Sequence, residues 1–236
     1  MAVAIALAGA GSAAASPFEV DSTDTADSIE IKCAFELRES SGAETRIAPK
    51  FALAMPLSDH LEFEAGTMRR EVIRDGASRS GLGDTTLEFK WRFASETHHR
   101  PALAVIPELS LPTGSEGRGL GSGHTEISIP LAAEKSFGAY KLSGKLGYTR
   151  SFGGDKESLP FGALVTLKPV KALKVGLELA GDAPTRDLSA FKLNANFGFK
   201  WKLTPRAELH GLVGRTVRSA GARPVTRFKL VVEMRM

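Results

Sequence analysis

Three features of this 236-residue sequence predict an all-β fold, a transmembrane antiparallel β-barrel of about twelve strands with short periplasmic turns and longer extracellular loops. Apolar and polar residues alternate with period two along most of the chain. The alternating stretches give an even strand count, and tight links alternate with long ones rich in Gly and Ser.

The first strand, residues 29–38 (IEIKCAFELR), puts Ile29, Ile31, Cys33, Phe35 and Leu37 on one face and Glu30, Lys32, Glu36 and Arg38 on the other. In 46–55, Ile47, Phe51, Leu53 and Met55 oppose Arg46 and Lys50, and in 61–68, Leu61, Phe63 and Ala65 oppose Glu62 and Glu64. Residues 83–93 (GDTTLEFKWRF) set Leu87, Phe89, Trp91 and Phe93 against Glu88, Lys90 and Arg92. Segment 102–111 is more apolar, and 124–133 sets Ile127, Ile129 and Leu131 against Glu126 and Ser128. Pro107 and Pro130 fall inside these two, where the missing N–H predicts a bulge or a boundary shift.

Stretches 139–149, 161–168 and 172–180 continue the pattern, with Lys141, Ser143 and Lys145 on the polar face of the first and Glu178 on that of the third. Residues 190–202 (AFKLNANFGFKWK) alternate Phe197, Phe199 and Trp201 with Lys192, Asn194, Asn196 and Lys200. Segment 206–214 is weaker, and 226–236 sets Phe228, Leu230 and Val232 against Arg227, Lys229 and Glu233. Tight links are expected at 56–59, 135–138, 169–171 and 203–205, and longer loops at 71–82, 112–123, 151–160 and 215–223, with 94–101 a short-side link that runs long.

An apolar strand face meets a second sheet in a sandwich, a ligand in a lipocalin-like barrel, or lipid in a membrane barrel. Three observations favour lipid. Both charge signs occur on nearly every polar face, so they can pair across a narrow interior. The strands approach the length of about 9–11 residues that spans a bilayer. Aromatics gather near strand ends, at Trp91 and Phe93, Tyr148 and Phe152, and Phe199 and Trp201, as interfacial girdles require. No stretch has the roughly 18 consecutive apolar residues of a membrane helix. Residues 1–15 (MAVAIALAGAGSAAA) are uncharged and end in small residues, which marks a signal-peptide remnant cleaved near Ala15, with 16–27 as an N-terminal extension and 28–236 as the barrel.

The sequence also resembles a family of Gram-negative outer-membrane proteins associated with the MetA pathway of phenol degradation. The resemblance is carried by GLGDTTLEFKWRF (81–93), PALAVIPELSLPTG (101–114), GLGSGHTEISIPLAAEK (119–135), LGYT (146–149) and the last strand after Gly214 and Arg215, and most specifically by ELSLPTGSEGRGLGSG (108–123). It implies a barrel that passes small, often hydrophobic compounds and has no established catalytic set. The chain departs from it in ending on Met236 rather than an aromatic residue.

No enzymatic chemistry is expected. His98 and His99 are adjacent in a link and define no zinc site, while His124 and Glu126 share a face without an identifiable nucleophile. The Gly-rich 117–123 lacks the Lys-Ser/Thr and helix of a phosphate loop and reads as an external hairpin. The net charge of +4 comes without a basic tract, so nucleic acid is not an expected partner, and no cofactor is implied. The expected partners are outer-membrane lipid, the barrel-assembly machinery during biogenesis, and a small solute.

The expected lumen lining is Glu30, Lys32, Lys50, Glu64, Glu88, Lys90, Arg92, Glu126, Lys141, Lys145, Glu178, Lys192, Asn194, Asn196, Lys200, Glu208 and Lys229. These groups either hold an aqueous path for a small, hydrophobic or aromatic solute, or pair into a network that closes a structural or ligand-binding barrel. The excess of basic over acidic groups in this set implies a mild anion preference if the lumen conducts.

Overall fold

The computed structural model describes residues 16–41, 43–74, 76–220 and 223–236; the expected signal remnant at 1–15 lies outside the described residues. Fourteen strand segments, β1 (Glu30–Ser40), β2 (Ala43–Ser58), β3 (Leu61–Arg74), β4 (Ala77–Leu82), β5 (Thr85–Ala94), β6 (Ala102–Val105), β7 (Glu108–Leu111), β8 (Thr125–Phe137), β9 (Tyr140–Phe152), β10 (Glu157–Val170), β11 (Leu173–Pro184), β12 (Lys192–Thr204), β13 (Ala207–Arg218) and β14 (Thr226–Arg235), form one antiparallel sheet. β4 and β5 both pair with β3, and β6 and β7 both pair with β5 and β8, so each couple is one stave interrupted partway. The last strand returns to the first, with Glu30 opposite Arg235 and Glu39 opposite Thr226, which closes a barrel of twelve staves. Closure gives every strand except β4 a ladder partner on both sides; β4 is paired on one side alone, with β3. Among the described residues no helix is long and apolar enough to cross a membrane.

The interruption of the β6/β7 stave falls at Ile106 and Pro107, where a missing N–H breaks the ladder as expected. Across the gap Phe89 N donates to Pro107 O at 2.9 Å and Ile106 N to Pro130 O at 2.9 Å, so the wall stays continuous.

Side chains alternate as the pattern requires. Phe35, Phe51, Phe89, Leu146, Leu177, Phe197, Phe228 and Leu230 are exposed on the outside, while Glu64, Glu88, Ala104, Ala132, His210 and Val231 are buried inside. One strand departs. In β2 the phase changes between Ile47 and Lys50, where Ala48 and Pro49 face the single Arg69 of β3 and the register slips. Ile47 is therefore buried on the luminal side with Lys50, and Arg46 points outward, the reverse of strict alternation through 46–55. A single extra residue is enough to move every following side chain to the other face.

Two-residue turns join staves at one rim, at 59–60, 138–139, 171–172 and 205–206, with Gly138 at φ +62. The link at 95–101 is longer and is tied under β8, where Ser136 N donates to Glu96 Oε1 at 2.8 Å. The opposite rim differs from expectation. Residues 71–74 belong to β3 and 77–82 to β4, and β9 and β10 extend well into 151–160, so the staves run longer and the loops shorter than the sequence suggests. Trp91, Phe93, Phe137, Tyr140 and Trp201 are exposed toward the short-turn rim as one aromatic girdle of a membrane barrel, with Tyr148 and Phe152 exposed toward the other rim.

Candidate functional site: a lumen holding its own N-terminal segment

Residues 16–29 run inside the barrel rather than away from it. Phe18 and Val20 are buried with Leu164 of β10 and Leu212 of β13 in one cluster. Their sockets are made by glycine: a Cβ on Gly176 or Gly198 would lie 2.7 or 2.8 Å from the Phe18 ring, and one on Gly162 would lie 2.6 Å from Val20 Cγ2. Only a residue without a side chain lets the luminal wall approach these two so closely.

Polar groups of the wall then take up the segment's backbone and acids. Val20 N donates to Glu178 Oε1 at 2.7 Å, Thr23 N and Oγ1 donate to Glu134 Oε2 at 3.0 and 2.7 Å, and Ala26 N donates to Glu62 Oε2 at 2.5 Å. Asp21, almost fully buried, pairs with Lys145 at 3.2 Å, and Asp24 pairs with Lys141 at 3.3 Å and Arg92 at 3.8 Å. Glu19 pairs with Arg227, and the Ser16 carbonyl accepts from Lys229. Thr25 Oγ1 reaches Asp59 O at 3.0 Å, in a short-rim turn. The segment therefore descends from mid-lumen to the periplasmic rim and feeds into β1.

Charge explains why it lies there. Residues 16–29 contain Glu19, Asp21, Asp24 and Asp27 and no Lys or Arg; since the whole chain carries +4, the remainder carries +8. A buried carboxylate without a partner is costly, and each of Glu19, Asp21 and Asp24 meets a wall cation.

Every residue expected in the lumen is buried or half-buried, and the structure divides them. Glu178, Lys141, Lys145, Arg92 and Lys229 touch the segment directly, and Lys90 bonds Asp24 O at 3.4 Å. Glu30, Lys32 and Glu64 form a separate ladder, with Lys32 Nζ 3.2 Å from Glu30 and 2.9 Å from Glu64. Asn196 donates to Glu178 at 2.7 Å, and Glu126 pairs with Lys156 at 2.8 Å. Glu88 lies beside Glu64 and Glu108 in the register, and Lys50, Lys192 and Asn194 line the upper lumen, above Lys200 of the same β12 face. Glu208, with His210 and Glu233, brings three ligand-type atoms within 4.8 Å of one another, but Arg235 bonds both carboxylates at 3.0 and 2.9 Å, so the group is a compensated network. Glu62 and Glu134, which hold the segment's backbone, are outside the expected set. Both alternate inward, and Glu62 was legible from its polar face.

Above the segment lies a vestibule of about 770 Å³, bounded by Phe18 and Asp21 below and by Gly121, Ser122 and Asp155 at the extracellular rim. The loop carrying GRGLGSG folds back over this rim. Asp84 holds it by accepting from Gly114 N at 3.0 Å and Ser122 N at 2.7 Å, and Leu120 is buried against the wall beside Gly81 and Gly83.

The family described as "Putative MetA-pathway of phenol degradation" matches residues 57–219, more than half of the chain. The chain belongs to this family. Its fold is similar to that of the COG4313 outer membrane channel from Pseudomonas putida F1, at 14% identity and a TM-score of 0.75, covering 92% of this chain and all of that one. It is also similar to the KdgM porin in complex with disordered oligogalacturonate (9% identity, TM-score 0.61, 88% of this chain and 99% of that one) and to the NanC porin (7% identity, TM-score 0.61, 87% and 100%). No curated protein sequence matches it. The chain is thus a closed twelve-stave β-barrel with the fold of outer-membrane channels and porins.

Proposed function

We propose that the protein is a channel for small solutes, including hydrophobic and aromatic ones, closed by its own N-terminal segment. The observation that carries this reading is the vestibule: a charged, partly apolar cavity of about 770 Å³ stands directly above a segment held by groups on many separate staves. A barrel serving only as a wall needs no such space. The family's association with phenol degradation supports aromatic solutes. The lumen set from Glu30 to Lys229 supplies the polar path, and cleavage near Ala15 places a new amino terminus beside Lys229, checkable by mass spectrometry of protein purified from outer membranes.

The seated segment itself favours a second reading, a non-conducting structural or ligand-binding barrel. Reconstitution in planar bilayers and solute-loaded vesicles separates the two. The channel reading expects discrete conductance steps that increase in size or frequency when residues 16–27 are deleted, together with phenol uptake. A folded, heat-modifiable barrel that conducts and transports nothing with or without those residues sinks it.

A further inference from the structure

Most of the charges around the vestibule are grouped by wall, with Lys145 and Lys156 beside the acidic staves and Asp182 beside Lys192 as the exceptions. Arg38 of β1, Lys50 of β2, Arg70 of β3, Lys192 of β12, and Arg227 and Lys229 of β14 occupy one arc. Asp84, Glu88, Glu108 and Glu126 occupy another, on the staves from β5 to β8. Within the basic arc the cations crowd one another: Arg38 interacts repulsively with Arg70, Lys192 and Lys229, and Lys229 also with Lys50 and Arg227. The carboxylates facing this arc are Glu36, which pairs with Arg38 and Arg227, Glu19 of the segment, which pairs with Arg227, Asp182, which lies opposite Lys192 across the β11–β12 ladder, and Asp84, which attracts Arg70 from the other arc.

Two of the cations are left over. Arg70 makes a contact to the Met68 sulfur at 3.9 Å, and its Nε is buried without an acceptor. Lys192 makes no hydrogen bond or close ion pair among the described residues and is attracted only at longer range, to Asp182 opposite it in the ladder. A buried guanidinium N–H with no acceptor is costly, and crowded cations add to that cost. A bound anion relieves both. The neighbouring surface is apolar, made by Ile47, Met68, Ile106 and Phe18.

We propose that the vestibule contains a binding site for a small organic carboxylate with an apolar body, its carboxylate held by Arg70 and Lys192 within the basic arc and its body against Met68 and Ile106. The guanidinium fork matches a carboxylate's two oxygens, and the apolar flank favours an aromatic or aliphatic acid over a fully hydrated inorganic anion. The acidic arc repels the carboxylate and so fixes which way round the molecule sits. This site deepens the channel reading and rests on it for its physiological use, but binding is measured without transport.

The test is equilibrium dialysis of radiolabelled benzoate against the full-length folded barrel in neutral detergent at low ionic strength, with benzamide as an uncharged probe of the same shape. Benzoate is expected to bind saturably at one site, at least tenfold more tightly than benzamide, and R70Q/K192Q is expected to weaken benzoate at least tenfold while keeping heat-modifiable mobility. If that variant does not fold, Arg70→Lys, which keeps the charge and removes the fork, is expected to weaken benzoate several-fold. Equal binding of the two probes, or benzoate affinity unchanged in the folded variant, overturns the site. Conductance without benzoate binding removes the site and leaves the channel; benzoate binding without conductance does the reverse.

Discussion

Phe18→Ala is the substitution that most directly probes closure. The ring is 4% exposed and lies against Leu164, Leu212, Gly176 and Gly198, so truncation removes nearly all of its buried area from the seated state only. Deleting a buried phenylalanine costs about 3–5 kcal/mol in a closed core, and the lower end applies to a luminal site where water can enter the gap. Roughly 3 kcal/mol at about 1.4 kcal/mol per tenfold raises the unseated population by about two orders of magnitude. A Ser22→Cys reporter in a Cys33→Ser background reads this population through the rate of labelling by a membrane-impermeant maleimide. Ser22 Oγ donates to Glu134 at 3.3 Å and accepts from Asp24 N at 3.1 Å, and the loss of these two bonds is common to parent and variant because both carry the reporter. Labelling is expected to be about 100-fold faster in Phe18→Ala than in the parent, and unchanged in Phe228→Ala, which removes an equal ring from the lipid face. Equal labelling of parent and Phe18→Ala barrels, both folded by heat-modifiable mobility, refutes the reasoning that the glycine-lined socket holds the segment in place.

Other consequences follow from the same contacts. Lys145→Gln strips Asp21 of its partner at 3.2 Å and should unseat the segment by about 3–5 kcal/mol, with much of the loss recovered in the Asp21→Asn/Lys145→Gln pair when both are read by the labelling assay. Under a salt gradient the reversal potential should show anion preference, strengthened when residues 16–27 are deleted, because that deletion exposes wall cations; cation preference in both forms contradicts the charge argument. Asp84→Asn should loosen the 112–124 loop, detected as faster amide exchange at Gly114 and Ser122 with the barrel strands unchanged. Fluorescence of Trp91 and Trp201 should be quenched by lipids brominated near the headgroup more than by lipids brominated at the chain ends, as their position near the short-turn rim requires.

Much of the wall was legible because period two is a local signal. The outward and inward sets of β1, β5, β9, β12 and β14 follow directly from alternation, and the strand count follows from spacing. The signal fails where one residue is added. The bulge at 47–50 of β2 inverts Arg46 and Ile47, and nothing in the local composition of RIAPK beyond the proline marks where the phase shifts. Residues 71–82 look like a loop because Glu71, Arg74 and Arg79 mix with Gly and Ser, yet a stave projecting beyond the bilayer needs no apolar outer face. The N-terminal segment was hidden for a different reason: its wall partners are 34 to 213 residues away in sequence, and no periodicity announces a contact across a lumen. Its composition did carry a trace, four acids without a base ahead of a chain with cations in excess.

That trace links closure to selectivity. The wall cations that hold the acidic segment are part of the same excess that should draw anions into the lumen, so segment and solute compete for one field. Glu19 marks the overlap, since it pairs with Arg227 at the edge of the basic arc while Lys229 bonds the Ser16 carbonyl beside it. An anion seated at Arg70 and Lys192 lowers the positive potential that Glu19 feels and so weakens the segment's upper attachment. Asp21 and Asp24, bound to Lys145, Lys141 and Arg92 on and near the opposite wall, are less affected. Occupancy of the vestibule therefore favours release from the top of the segment downward, and benzoate should accelerate maleimide labelling at Ser16→Cys more than at Ser22→Cys. Equal acceleration at both positions, or none, means that the segment is held by packing of Phe18 and Val20 rather than by the shared charge.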